Sequence, residues 1–499
     1  MNSRYLLLAI IMFVGLIVRL YNFNSPMTDL HSWRQSDTAS VARNLSRNNI
    51  NVLYPKIDSF VSIDGVGRDN SFRYHFAEFP IYQALVAIAS YMVGNVVVAG
   101  RLVSIAFSLL SIIVLYGLCS RFFGIKVSLL SAFVYSLIPY NIYWSRTVLP
   151  DSMMVAMCLL MLYCFVVAVQ TNKNVYYVLA FIFLSVALLL KVFVVFLFVP
   201  VIYLIYRKFG NSFWKKKYLW IGLFASVLPF ISWRLWMSQW PMSIPASGWL
   251  LNGNFIRLKP SWWHWLFQER IDMYMFNFSG LIFIGIACLF YRTVLRELSL
   301  HKIFEKSKSY VWFWMLCLFS IFLYLVVFAT GNVQHEYYQL PIVPFGCVFV
   351  ALGFWYAWGY EGPRAEKLSR RIASVMMLVI MFMLGWYSVK GWYTPSNPLV
   401  VAVGERADKI LPSDAKVIAD YGGNTTLLYY VNRPGWSVRE KQVQQLINQG
   451  ATHYISMHRN DYMNKLAKLY RVVDETSEYV ILDLRTREGN WEGIGEFDL

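Results

Sequence analysis

Pro150-Asp-Ser-Met-Met-Val-Ala-Met-Cys-Leu-Leu-Met-Leu-Tyr-Cys-Phe-Val-Val-Ala-Val169 runs for twenty residues with a single charged side chain, Asp151, at its start. At ~1.5 Å per residue a helix of that length crosses the ~30 Å hydrocarbon core of a bilayer. Moving outward from it, the same kind of block recurs along the chain. We read eleven spans, at residues 4–22, 101–120, 126–143, 150–169, 176–190, 192–206, 218–236, 276–291, 311–329, 340–358 and 372–389. Composition agrees: of 499 residues 58% are hydrophobic and 15% charged, against about 25% charged in a soluble domain. All six cysteines (Cys119, Cys158, Cys164, Cys288, Cys317, Cys347) fall inside these blocks. They read as small apolar residues, with no disulfide framework or metal set among them.

The net charge of +17 does not imply nucleic acid, because the positive charge is concentrated in short loops between spans and no basic groove-binding module is visible. Lys and Arg in such loops mark the cytoplasmic side. Eleven spans with a cytoplasmic N-terminus put the basic segments 207–217, 292–308 and 364–371 inside, with Arg121, Lys126 and Lys173. A twelfth apolar stretch, 80–98, would throw all of them outside if it crossed, so it is expected to be a membrane-dipping or interfacial helix. The first span reads as an uncleaved anchor, since no small-residue cleavage site follows it. The expected fold is an all-α polytopic membrane bundle, residues 1–390, with a large first outer loop at 23–100. After it the tail 396–499 turns polar. Its β-like runs at 416–419, 453–457 and 479–484 alternate with helix-like stretches such as 439–448, which predicts a small C-terminal soluble α/β domain on the outer face.

Ionisable groups at membrane depth are costly and mark candidate sites. Four polar patches gather at the outer boundary. The first outer loop has Asp29-Leu-His-Ser-Trp-Arg34-Gln-Ser-Asp37-Thr-Ala-Ser-Val-Ala-Arg43-Asn, then Arg73-Tyr-His75-Phe-Ala-Glu78-Phe-Pro80. The turn before the quoted span reads Ile142-Tyr-Trp-Ser-Arg146-Thr-Val-Leu-Pro150-Asp151. Lys191 separates two short spans, and Gln334-His335-Glu336-Tyr337-Tyr338-Gln339-Leu340-Pro341 forms the fourth patch. A bundle can bring such patches into one polar cavity.

This order of motifs resembles the C-type (GT-C) glycosyltransferases, and within them the protein O-mannosyltransferase and lipid A aminoarabinose transferase group (glycosyltransferase family 39-like). Arg101-Leu-Val-Ser and Ser120-Arg-Phe-Phe-Gly124 are similar to that group's second span. The likeness covers about 4–210 and 311–358. It implies a sugar donor carried on a polyprenyl phosphate such as undecaprenyl phosphate, a first-loop carboxylate as base, and inversion at the anomeric carbon. Asp37 is the first candidate for that base and Asp29 the second. The loop departs from the group's pattern by carrying Arg34-Gln35 near the place where relatives show an adjacent acidic pair.

The chain has no Walker loop and no strand-helix GxGxxG; Gly65-Val-Gly67 and Gly422-Gly423 are too short to cradle a nucleotide. A carrier phosphate needs cations, supplied by a rigid guanidinium fork or an ammonium point charge. Arg146, Lys191 and Arg34 are the expected clamp, with His335, Tyr337 and Tyr338 as further donors. Asp151, His75, Glu78 and Glu336 are further site candidates. Asp37, His75, Glu78, His335 and Glu336 offer ligands for a divalent metal, yet no spacing such as HExxH fixes one, and the cofactor stays open. Structural roles compete at each position: Asp37 as the N-cap of a helix at 38–45, Arg146 and Asp151 as an ion pair, Lys191 snorkelling to the interface, His335-Glu336 as a hydrated turn. The aromatic residues of 233–265 read as an interfacial belt.

The resulting expectation is an inverting hexosyl- or pentosyltransferase of a bacterial inner membrane, with a periplasmic site and C-terminal domain. Its partners would be the polyprenyl-phosphate-linked donor, a glycan, glycolipid or protein acceptor, and membrane lipid, with no nucleic acid. Two rivals stand beside it. An O-antigen polymerase or ligase would take a pyrophosphate-linked donor. A secondary transporter would show inverted repeats, and none is evident.

Overall fold

The computed structural model describes residues 3–62, 70–244, 248–298, 310, 312–438 and 443–489. Gly65 and Gly67, positions 299–308 of the second basic segment, residues 439–442 of the helix-like tail stretch and the last ten residues lie outside that set. The chain divides into two compact units. One is Met1–Phe23, Arg101–Trp236 and Ala246–Gly391; the other is Asn24–Gly100, Met237–Pro245 and Trp392–Leu499.

The first unit is helical. Among the described residues six helices of the chain are long and apolar enough to cross a membrane: Val96–Cys119, Asp151–Thr171, Val192–Lys215, Lys217–Met237, Pro260–Leu289 and Arg364–Tyr393. This is a multi-pass membrane protein. Ile125–Leu137, Asn174–Leu190, Phe313–Val327 and Ile342–Trp358 are apolar but shorter. Burial separates their roles. The most apolar window of Asp151–Thr171 is 89% buried and that of Lys217–Met237 only 17%, so the first is a central helix and the second presents apolar side chains outward.

Each of the eleven apolar stretches coincides with helix, with three departures in detail. The stretch 126–143 breaks into Ile125–Leu137 and Pro139–Trp144, with Ile138 at ψ 118° between them, because a residue before proline is pushed out of the α region. Lys191 is fully extended (φ −153°, ψ 128°) between Asn174–Leu190 and a 3₁₀ turn at Val192–Leu197. The eighth stretch is entered through a π-helical run, His264–Phe276.

The second unit holds a five-stranded sheet: β1 Val417–Asp420, β2 Gly435–Val438, β3 His453–Ser456, β4 Tyr470–Glu475 and β5 Val480–Arg487. Its order is β2-β1-β3-β5-β4. β1 runs parallel to both neighbours, with Val417 opposite Gly435 and His453, while β5 is antiparallel to β3 and β4. Alternation builds a core on each face. Val417 and Ala419 meet Val403, Leu427 and Ile455 on one side; Ile418 meets Tyr454, Met463 and Leu482 on the other.

The first outer loop is part of this unit. Its Ser32–Arg47 helix packs with Ile81–Val93 through Val41, Leu45 and Ala87. A strand-like piece of the loop extends the sheet beyond β2: Gly435 donates its N–H to Asp58 O at 3.0 Å and Phe60 donates to Gly435 O at 2.7 Å. Gly435 is required there, since a Cβ would stand 1.9 Å from Val417 O. Phe60 then packs on Trp436 at 4.6 Å between ring centres. The 80–98 stretch is not one helix: Ile81–Val93 ends at Gly94 in the left-handed region (φ 77°), and Val96–Cys119 begins immediately after.

Candidate active site

The Ser32–Arg47 helix is polar in sequence yet buried along nearly every turn, including Ser32, Arg34, Gln35, Ser36, Asp37 and Thr38. Burying so many polar groups requires partners, and the tail supplies several. Ser36 Oγ donates to Thr426 Oγ1 at 3.2 Å. Arg43 donates to Tyr429 O at 2.9 Å, lies 4.1 Å over the Tyr429 ring and pairs with Asp58. Asp37 accepts from Thr425 Oγ1 at 2.7 Å.

The helix begins at Ser32, with His31 before it in the left-handed conformation (φ 55°). Asp37 therefore sits in the second turn, not at an N-cap as the structural reading of the sequence had it. The reason is that His31 and Asp29 close the loop upstream, Ser32 N–H donating to Asp29 O at 3.0 Å.

Asp37 lines a pocket of about 460 Å³ in the second unit, together with Trp33, Asn70, Tyr74, His75 and Thr425. Gly423 and Ser437, just past the carboxyl ends of β1 and within β2, complete the wall. Burial pushes the Asp37 carboxyl up from 3.8 to about 6, against the lowering effects of the Thr425 hydrogen bond and of Arg34. The sequence reading placed Arg34 in the phosphate clamp beside Arg146 and Lys191. Arg34 instead spends its charge on Glu78, at 2.5 Å with both side chains 8% exposed, and desolvation prevails. Gln83 adds a bond to Glu78 at 3.2 Å. His75 is pushed down to about 4, mainly by burial, so its ring is neutral near pH 7. Asp29 is buried, accepts from Gln35 Nε2 at 2.7 Å, and is not among the described lining residues of the pocket.

The other three patches come together in the first unit. The extended backbone at Lys191 carries its ammonium to 3.9 Å from Asp151 Oδ1, the side chains 9% and 1% exposed. The same ammonium stands 5.0 Å from the Tyr338 ring centre and 5.7 Å from that of Tyr337. His335 stacks on Tyr337 at 5.3 Å and meets Tyr338 edge-on at 5.0 Å. Trp144, next to Arg146 in the turn, contacts Tyr337 at 5.4 Å. Arg146 is 1% exposed and donates to Asn22 O at 3.1 Å. Asp151 opens the Asp151–Thr171 helix, where a carboxylate complements the positive end of the helix dipole.

Glu336 pairs with Arg270 at 2.9 Å, and its backbone carbonyl accepts from the Tyr140 hydroxyl. Arg270 and Thr425 were not singled out from the sequence. Arg270 had a signal, the charges Glu269, Arg270 and Asp272 inside an otherwise apolar run; Thr425 had none. Among the described residues no three His, Cys, Asp or Glu side chains come together as a metal-binding group.

A family model described as dolichyl-phosphate-mannose-protein mannosyltransferase matches residues 78–236. In structure, the chain is similar to ArnT from Cupriavidus metallidurans bound to undecaprenyl phosphate. The TM-score is 0.64 at 12% identity, over 97% of this chain and 98% of that one. The chain has the C-type glycosyltransferase fold. The apo oligosaccharyltransferase of Archaeoglobus fulgidus shares it at TM-score 0.58 and 10% identity, over 91% of this chain and 69% of that one. The mycobacterial arabinofuranosyltransferase AftD shares it at 0.55 and 11%, over 97% and 42%. Compared by sequence with curated proteins, the chain has no significant match. The resemblance drawn from the order of motifs is thus borne out at the level of this fold. The segment matched by the family model contains Glu78, Arg146, Asp151 and Lys191; Asp37 and the His335–Tyr338 turn lie outside it.

Proposed function

We propose that the chain is an inverting glycosyltransferase that moves a hexosyl or pentosyl unit from a polyprenyl-phosphate carrier to a glycolipid, surface polysaccharide or protein. The observation that carries this reading is Asp37: a carboxyl on the wall of a 460 Å³ pocket, tuned by burial to about 6. A carboxylate of that pKa is ionised at neutral pH and close enough to it to take a proton efficiently. Asp37 removes the acceptor's hydroxyl proton as that oxygen attacks the anomeric carbon. The carrier phosphate leaves with the electrons of the broken glycosidic bond.

Lys191, Arg146, Tyr337, Tyr338 and His335 hold the carrier phosphate and stabilise the charge that develops on it. Arg34 positions the pocket by holding Glu78, and Asp29 supports the helix start through Gln35. The donor class is supported by ArnT of the same fold, bound to undecaprenyl phosphate. In this reading residues 1–390 lie in a bacterial inner membrane with eleven spans and a cytoplasmic N-terminus, and 396–499 lie in the periplasm. The basic segments support that orientation.

Lipid mass spectrometry of cells lacking the protein tests the reading. A polyprenyl-phosphate monosaccharide should accumulate. Accumulation of a pyrophosphate-linked oligosaccharide instead would indicate a polymerase or ligase, and an unchanged lipid profile would argue against both.

A further inference from the structure

The second unit contains another cavity, about 270 Å³, and Tyr74 lines both it and the Asp37 pocket. The two differ in chemistry. The smaller one has no carboxylate among its described lining residues; it presents the amides of Asn44, Asn48 and Asn51, the phenols of Tyr54 and Tyr74, and the ammonium of Lys56. Asn44 commits both amide hydrogens to Lys56 O and Asp58, Asn48 gives one to Asn44 O at 2.8 Å, and the Asn51 oxygen accepts from Leu53 N–H at 3.3 Å. The second amide hydrogen of Asn48 and the amide nitrogen of Asn51 are left as donors for hydroxyls on a ring. Aromatic faces suit the apolar face of the same ring.

The aromatic surface continues past the cavity. Tyr54 lies 5.5 Å from Tyr74, Phe72 stacks on Tyr74 at 5.4 Å with 9° between planes, and Trp240 meets Tyr74 edge-on at 4.9 Å. Phe72 is 56% exposed. Asn44 is fixed, its amide donating to Lys56 O at 3.1 Å and to Asp58 at 2.9 Å. Asn48 and Asn51 are exposed and flank a strained turn, Asn49 and Ile50 having φ of 53° and 52°. A β-branched residue in that region costs roughly 1–3 kcal/mol and persists where its surroundings demand it. Here the Ile50 N–H, bonded to Leu45 O at 2.9 Å, locks the turn that carries both amides to one cavity.

We infer that this cavity is a subsite for a sugar ring of the acceptor, the ring adjoining the one that enters the Asp37 pocket. The acceptor is then an oligosaccharide of at least two rings. This rests on the transferase reading of Asp37.

The test uses the full chain in lipid nanodiscs, with soluble mono-, di- and trisaccharides and a serine-containing peptide as probes followed by saturation-transfer NMR. Di- and trisaccharides should bind, and Tyr54→Ala and Asn48→Ala should each weaken them about tenfold. Tyr54→Phe, which keeps the ring and the packing on Tyr74, should retain most of the binding. In transfer assays the loss should fall on KM for acceptors of two or more rings rather than on kcat. Transfer with wild-type KM in both alanine variants would overturn the subsite while leaving the transferase reading intact. Saccharide binding that depends on Tyr54, in a protein that never turns over a polyprenyl-phosphate sugar, would keep the subsite and remove the transferase. Preferential binding of the peptide would overturn the inference.

Discussion

Burial raises the Asp37 carboxyl to about 6, and the proposed role as base makes that shift measurable. A base acts in its ionised form, so under the proposed role kcat/KM should fall about tenfold per pH unit below 6, a limb absent from Asp37→Asn. Stability runs the other way. The folded pKa lies above the ordinary 3.8, so the stability contributed by the protonated group is full below about pH 4 and lost as pH rises through 6. Asp37→Asn never ionises and still offers an oxygen to Thr425. It should be at least as stable as the parent at pH 7.5, by up to about 3 kcal/mol, while transfer falls by ~10² or more; a variant that is both active and destabilised would mark Asp37 as structural. Thr425→Val removes a bond that lowers the carboxyl's pKa, so the acidic limb should move to higher pH, with Thr425→Ser restoring it. Lys191→Ala and Arg146→Ala should weaken carrier binding or slow transfer by roughly 10- to 150-fold while the protein still inserts; wild-type turnover by both at subsaturating donor would remove the phosphate clamp. Lys191 could be picked out of the sequence because it is ionisable where the surrounding apolar pattern makes charge costly, and Asp37 because the resemblance implies a first-loop carboxylate. Thr425 could not, because it is an ordinary tail threonine until the fold brings it across 388 residues of chain.

At the scale of elements, legibility followed the length and strength of the apolar signal. Long blocks gave helices at the expected places, since a run of about twenty apolar residues has one low-energy form in a bilayer. The short strands were harder: β1, β3 and β5 were anticipated from apolar runs, but Gly435-Trp-Ser-Val438 has a glycine and four residues, and β4 is mostly exposed along its length. Neither could be told from a loop, because pairing rather than composition makes them strands. Helix contacts were equally invisible. Gly346 and Gly353 stand seven residues apart on one face of Ile342–Trp358; a Cβ at Gly353 would lie 2.1 Å from Phe283 O and one at Gly346 2.1 Å from the Phe276 ring. Backbone cannot move aside as a side chain can, so this is a close small-residue crossing of the kind that holds membrane helices together. Gly353→Leu should lower the thermal transition of the detergent-solubilised protein, at a cost of about 1–3 kcal/mol or more, whereas Gly285→Ala, with nothing within 4 Å, should leave it near the parent value.

For the whole molecule, two regions far apart in sequence turn out to be one folded unit. The first outer loop and the tail share a sheet edge at Gly435, an arginine clamp at Tyr429 and the pocket around Asp37, although each reads alone as a separate polar segment. Hydropathy separates membrane from water but carries no record of which polar segments pair, and that is why the tail's share of the pocket went unseen. Charge, by contrast, makes a claim about the whole chain that remains to be measured: every basic loop on one side, both parts of the second unit on the other. A cysteine scan checks it. The native cysteines are buried or half-buried and can be replaced with serine to give a silent background. Ser212 and Ser369 in the basic segments, and Ser71 and Ser413 in the loop and tail, are all exposed, so a lack of labelling cannot be blamed on burial within the protein. In intact cells with the outer membrane made permeable, a membrane-impermeant maleimide should modify cysteines at Ser71 and Ser413 and spare those at Ser212 and Ser369 until the inner membrane is broken. The positive-inside preference sets this orientation through short loops near the span ends; two expected crossings separate each of the three basic segments from the next, so they share one side, and eleven crossings from a cytoplasmic N-terminus make that side the inner one. Labelling of Ser212 and Ser369 in intact cells, with Ser71 and Ser413 protected, would invert the orientation and move the Asp37 pocket to the cytoplasmic side, where nucleotide sugars are at hand and a polyprenyl-phosphate donor loses its rationale.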